Sequence, residues 1–328
     1  MPAQFNQGWT YSDRVSQAQA QVPVLISVFL AERYRHSAAP LWRQRLQEGE
    51  ILLNGRRLDG DGPLHAGDRL QWQRPPWREE AVPARWRVIH DDGDLYVIDK
   101  PSGLPVLPAG GFLEHTLLRL LERSCAAQAL PRPVHRLGRH TSGLLVCARR
   151  PQSRAWLSAR LRESTAQLLN QPGSEARSAA TRAGACRKVY RALTVPAPLQ
   201  LAPGESLAIT TPIGRRPHAG LGQIWAADGP DDPGALPAWS EMRLLERRPQ
   251  GHLVEVSIHT GRPHQIRIHL ASAGVPLLGD PLYRPGGEPR PGALPGDGGY
   301  LLHAHRLRLP LPAGGWLDLE APVPPELS

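Results

Sequence analysis

The chain is short of lysine, phenylalanine, methionine and cysteine. Of its 39 basic residues only Lys100 and Lys188 are lysine; it has three Phe and two Met. Its three cysteines (Cys125, Cys147, Cys186) stand at spacings that fit neither a disulfide framework nor a zinc site, so buried reduced thiols are expected. No apolar run approaches the roughly 20 residues that span a bilayer. The longest candidate, Val24 to Ala31, is brief and follows Pro23. The N-terminus is polar, with Asp13 and Arg14 and no apolar stretch ahead of them, so no secretory signal is read and a cytoplasmic protein is expected.

What is present points towards a polyanion. The net charge is +9 and the isoelectric point is near 10.2. Such a surplus suits nucleic acid first and an anionic membrane surface second. The 32 glycines and 35 prolines accompany a basic set made almost wholly of arginine, the composition of a GC-rich genome. Against that background the two lysines are informative, because ammonium and guanidinium differ in shape, hydration and donor geometry.

Residues 1–23 read as a loose polar arm. Residues 24–48 carry helical apolar spacing broken by the turn His36-Ser37-Ala38-Ala39-Pro40. Asn54-Gly55 between apolar runs signals a tight hairpin, and Arg69-Leu70-Gln71-Trp72 closes the piece as a second short strand. The expected small α+β module therefore covers 24–74, followed by a linker at 75–85. A second domain is expected over 86–328. Its strands are read at 86–90, 94–99, 143–148, 187–195 and 252–259, and its helices around 117–121 and 153–162. A polar insertion at 165–184 is expected to be disordered, and 216–237 and 284–298 read as loops. Short connections between strands favour an α+β fold with a mainly antiparallel sheet.

Four stretches carry the candidate chemistry: Asp99-Lys100-Pro101-Ser102-Gly103; His135-Arg136-Leu137-Gly138-Arg139-His140-Thr141-Ser142-Gly143; Arg187-Lys188-Val189-Tyr190-Arg191-Ala192-Leu193; and Thr260-Gly261-Arg262-Pro263-His264-Gln265-Ile266-Arg267-Ile268-His269, followed by Gly279-Asp280-Pro281-Leu282-Tyr283. The fourth admits three readings. A metal site is disfavoured by arginines flanking both histidines. A solvated basic face is the plain alternative, and an anion-reading cluster suits the geometry of arginine forks. The second stretch lacks a nucleophile elbow, so nothing in it points to a serine hydrolase.

In order and spacing the four stretches resemble the RluA family of RNA pseudouridine synthases, and residues 24–72 resemble an S4 RNA-binding module. The resemblance covers about residues 24–310. It implies a pseudouridine-synthase fold with a mixed, mainly antiparallel sheet and flanking helices. It also implies an isomerase of uridine in rRNA or tRNA that acts as a monomer away from membranes and needs neither metal nor organic cofactor. Arg136 would insert where the flipped base had been, Tyr190 would stack on the uracil, and Arg267 would pair with a nucleophilic carboxylate. Arg139, Thr141, Lys188, Arg262 and His264 would serve the RNA.

One position departs from the family. Where it carries HRLD, with the Asp as nucleophile, this chain reads His135-Arg136-Leu137-Gly138, and no Asp or Glu lies between Glu122 and Glu163. Glycine cannot attack C1′. Arg267 is then expected to face the cleft unpaired. Two functions follow: a synthase that recruits another carboxylate, with Asp99 and Asp280 the nearest motif acids, or a non-catalytic RNA-binding protein. A hydrolase is a distant third.

Overall fold

A computed structural model describes residues 1–21, 23–58, 60–169, 186–229, 232, 234–311 and 314–328. The chain divides into two compact units. One holds Pro2–Glu80 with Pro217–Gln223; the other holds Met1, Ala81–Arg216 and Ile224–Ser328.

The smaller unit contains α1 (Ile26–Arg33), α2 (Ala39–Gln47), β1 (Gln4–Phe5), β2 (Trp9–Arg14), β3 (Ile51–Leu53), β4 (Arg56–Arg57), β5 (Arg69–Arg74) and β6 (Arg78–Glu79). Four strands pair in the order β2-β5-β3-β4. Ile26, Phe29 and Leu30 of α1 and Trp42 and Leu46 of α2 pack on Ile51, Leu70 and Trp72 of the sheet. The expected hairpin forms at Asn54 (φ 51°) and Gly55 (φ 83°), a pair of positive φ values that matches the twist of the flanking strands. The expected loose arm at 1–23 is corrected in part, because β2 pairs with β5 along its whole length. Tyr11 stacks on Trp72 with ring centroids 5.1 Å apart, an attachment that the polar sequence around it conceals. The expected linker also begins inside structure: β6 pairs with β1, and the buried Glu79 accepts a hydrogen bond from Asn6.

The larger unit is built on one sheet. Its strands are β7 (Arg87–Asp91), β8 (Leu95–Lys100), β9 (Arg132–Pro133), β10 (Thr141–Ala148), β11 (Arg187–Thr194), β12 (Ser206–Ile209), β15 (Ser240–Arg248), β16 (Gly251–Ile258), β17 (Leu302–Pro310) and β18 (Trp316–Glu320). Eight run in the order β12-β15-β16-β11-β17-β10-β8-β7, with β9 on β10 and β18 on β17. All described pairings in this sheet are antiparallel except β10 with β17, which makes it mixed and mainly antiparallel as expected. The segment expected to be a loop at 216–237 instead contributes to a hairpin of β13 (Ile213–His218) and β14 (Gly222–Ala227). Arg215, Arg216 and Pro217 hide that strand from a hydrophobicity pattern.

Strand β10 is covered on both faces, so its sequence is almost continuously apolar. Leu145 and Cys147 face α3 (Leu117–Ser124), whose Leu117, Leu120 and Leu121 close one core. Leu144, Val146 and Ala148 face α4 (Pro151–Leu169), packing with Leu157 and Leu161. The first five residues of the expected disordered insertion continue α4 to Leu169; the rest lies outside the described residues. At the other end α5 (Gln265–Ser272) is buried all round: Ile266 and Leu270 meet Met242, Val254 and Val256, while Ile268 and Ala271 meet Ile213, Ile224 and Tyr283.

The parallel pairing of β10 and β17 depends on Gly143. Its φ is 96°, and a Cβ there would overlap the backbone of Ala304. Gly143→Ala is expected to cost about 2 kcal/mol or more in urea unfolding, from a strained φ and a displaced strand together.

Candidate active site

The loop from Val134 to Thr141 enters β10 and is tied down along its length. Val134 N–H donates to Val146 O, and Val146 N–H donates to His135 Nε2 at 3.1 Å. Gly103 N–H and Lys100 Nζ both donate to Arg139 O, and Ser102 Oγ donates to His140 O. Lys100 is fully buried, and its Nζ also donates to Pro101 O at 2.8 Å and Leu104 O at 2.9 Å. Three carbonyls around one nitrogen match a tetrahedral ammonium and not a planar guanidinium, which accounts for a lysine here in an arginine-rich chain. Burial pulls its pKa down to about 7, with Asp99 opposing.

This loop displays Arg136 to solvent and leaves Gly138 exposed. Arg136 lines a cavity of about 360 Å³ with His135, Lys188, Tyr190, Arg262 and Arg306, above an apolar wall that includes Leu144, Leu161 and Ile258. No Asp or Glu is among the lining residues. Lys188 donates to Leu161 O at 3.2 Å, and burial lowers its pKa. Burial pushes the Tyr190 phenol up to about 12, so it stays neutral at physiological pH. Arg262 donates from Nε to Pro237 O, and burial lowers its pKa.

Arg267 is not unpaired as expected. It is 3% exposed and makes two hydrogen bonds of 2.7 Å to Asp280. A third reaches Pro295 O at 3.1 Å. Burial works against its charge, but the bonds to Asp280 outweigh that and hold its pKa above the ordinary arginine value. Asp280 also accepts from Leu282 N–H, so this acid is committed within the fold. His264 takes φ 55° at the start of α5 and bonds the Tyr283 hydroxyl at 2.7 Å. Its pKa falls to about 3, through burial first and then the charges of Arg267 and Arg136. Thus Arg136 and Arg267, far apart in sequence, both act on one imidazole. Both nitrogens of His269 are engaged, by Ser240 Oγ and Thr211 O.

The other candidates fall nearby with different surroundings. Arg139 lies over the Phe112 ring at 4.5 Å, and Thr141 is buried with its hydroxyl 3.3 Å from that of Tyr300. Asp99 is half-buried on β8; burial raises its pKa against the pull of Arg87.

Sequence reading missed Tyr300. This side chain is 2% exposed, lies under the Arg267 guanidinium at 4.4 Å, and reaches Gly138. A Cβ on Gly138 would overlap the Tyr300 hydroxyl, while Tyr300 Cζ would stand 3.7 Å away. The φ of Gly138 is not positive, so the phenol, not the backbone, is what an added side chain would meet. The only sequence signal was the missing volume at Gly138, which does not say what fills it.

A cation-lined cavity with a neutral aromatic ring, set against a mixed α+β sheet, suits a polyanionic partner. The comparisons narrow this class. The family model described as RNA pseudouridylate synthase matches residues 94–272. An uncharacterised RNA pseudouridine synthase of Synechocystis sp. is 43% identical, over 91% of this chain and 94% of the relative. RNA pseudouridine synthase 5 of Arabidopsis thaliana is 36% identical over 99% and 95% of the two chains. The solved structure of human RNA pseudouridylate synthase domain containing 1 shares the fold with a TM-score of 0.54 and 21% identity, covering 76% of this chain and 89% of its own. The chain belongs to the RNA pseudouridine synthase family.

Two outcomes follow from the loop's anchors. Lys100→Met strands three carbonyls in the interior and is expected to cost at least about 2 kcal/mol in urea unfolding, with Lys100→Arg recovering little of it. His135 stays neutral down to about pH 4 through burial and the nearby Lys188. An unfolded imidazole protonates near about 6.5. The linked stability is therefore complete above about pH 6.5 and lost as pH falls through about 4. Unfolding midpoints measured across that window should fall less steeply for His135→Gln than for the wild type.

Proposed function

We propose that this chain isomerises uridine to pseudouridine in structured RNA, rRNA or tRNA, working as a monomer in the cytoplasm. The observation that carries this is the pairing of an exposed Arg136 with a half-buried Tyr190 in one cationic cavity. Target bases in structured RNA are stacked, so the nucleotide must be flipped out before its glycosidic bond is reached. Arg136 inserts where the base stood: its guanidinium plane stacks on neighbouring bases and still bonds phosphate. Tyr190 offers the flipped uracil a ring to stack on. Its neutral phenol is placed to meet the C5 proton late in the reaction. Lys188 and Arg262 hold the flanking phosphates, while Arg139, Thr141 and His264 support the loop and helix that present the site. Arg267, locked to Asp280, supplies a fixed positive charge beneath it. No described helix is long and apolar enough to cross a membrane.

The smaller unit fits this reading as an S4-like RNA-binding module at 24–74, joined through 75–85 to the catalytic domain. Arg56 and Arg57 stand exposed on its hairpin.

The reading is tested by tritium release from RNA carrying 5-³H-uridine, since that hydrogen must leave in any pseudouridylation. The wild type should release tritium from structured RNA, and no release above background overturns the reading. Log affinity should fall steeply with log salt. Arg136→Ala should weaken binding to folded RNA more than to a flexible single strand, measured by filter binding at fixed salt.

A further inference from the structure

Within this reading residue 138 lacks an attacking group, because Gly138 has no side chain, Asp280 is consumed by Arg267, and Asp99, half-buried on β8 beside Arg87 and the Gly143 N–H, is not among the groups a Cβ on residue 138 would meet first. We propose that the Tyr300 phenol is the nucleophile of this enzyme. Three observations place it there. Its hydroxyl fills the space that a side chain on residue 138 would occupy, so the glycine and the tyrosine are complementary in volume. Gly138 is exposed, and a group reaching residue 138 would meet the Tyr300 hydroxyl first and Thr141 Oγ1 next, so the phenol is the nearest oxygen to a ribose placed there. The ring lies 4.4 Å from the Arg267 guanidinium carbon, and the hydroxyl lies 3.3 Å from Thr141 Oγ1. A cation over the ring and a hydroxyl beside the oxygen both favour negative charge developing on the phenol.

The step balances without a co-reactant. The phenol oxygen bonds C1′ as the N1–C1′ bond breaks; the bonding pair leaves with the uracil, which takes the phenol proton. The freed uracil turns, C5 bonds C1′, and the phenolate leaves with its pair. The C5 hydrogen then departs as a proton and restores the phenol. The net change is one hydrogen moved from C5 to N1, as isomerisation requires. Tyrosine belongs to the side chains that form covalent intermediates when a neighbour activates them.

The same geometry designs the test. Tyr300→Phe keeps the ring and removes only the oxygen. In kinetics on 5-³H-uridine RNA it should lower kcat by about 100-fold or more, with KM and RNA affinity within about threefold of wild type. A side chain at residue 138 overlaps the native hydroxyl, but once that oxygen is gone its Cβ meets Thr141 Oγ1 at a tight 3.3 Å and Tyr300 Cζ at an ordinary 3.7 Å. Gly138→Asp/Tyr300→Phe should therefore regain at least about tenfold over Tyr300→Phe, and should exceed Gly138→Asp alone. That gain is read even if the single variant folds poorly. A smaller loss in Tyr300→Phe overturns the assignment while the proposed activity stands, and so does a double variant with no gain over Tyr300→Phe. A silent wild type overturns the activity itself, and the assignment with it.

Discussion

Arg267 and Asp280 meet almost wholly out of water, through two parallel hydrogen bonds of 2.7 Å. Removing two charges from water is costly, and the pair stands because the bidentate geometry and further bonds to Pro295 O and Leu282 N–H satisfy both partners. It fixes α5 to the segment that carries Tyr283. It also holds a permanent positive charge against the rings of Tyr283 and Tyr300, at 5.2 and 4.4 Å. Breaking such a pair by removing one partner leaves a buried charge alone and typically costs about 3–5 kcal/mol.

The second constraint is the loop that carries Arg136 and Gly138. It is pinned from beneath by one ammonium group shared among three carbonyls, and from the side by an imidazole that accepts from the β10 backbone. Lys100 is buried and His135 half-buried, and the value of both anchors lies in satisfaction, not in strength. They hold the loop still while leaving Arg136 free to project.

Much of this was legible in the chain order. The apolar run Leu144, Leu145, Val146, Cys147 gave a strand, and Asn54-Gly55 gave its turn, because both signals are local. The scarcity of lysine flagged Lys100 correctly, though not the reason for it. β2 and β13 were hidden because their residues are mostly polar and gain their place from a partner strand. The expectation of an unpaired Arg267 failed for a similar reason. Asp280 is thirteen residues away with a helix and a turn between, and only folding shows that the two side chains meet.

The sequence by itself determined the family, the mainly antiparallel α+β class, the cationic character and the absence of a carboxylate at residue 138. Each of these rests on residue identity, periodicity or order along the chain. Tertiary structure alone decided what stands in the vacated place. Gly138 and Tyr300 are separated by most of the catalytic domain, and a missing side chain leaves no mark on the residue that moves into its volume. Close packing makes such compensation obligatory, but only the folded chain says which atom provides it.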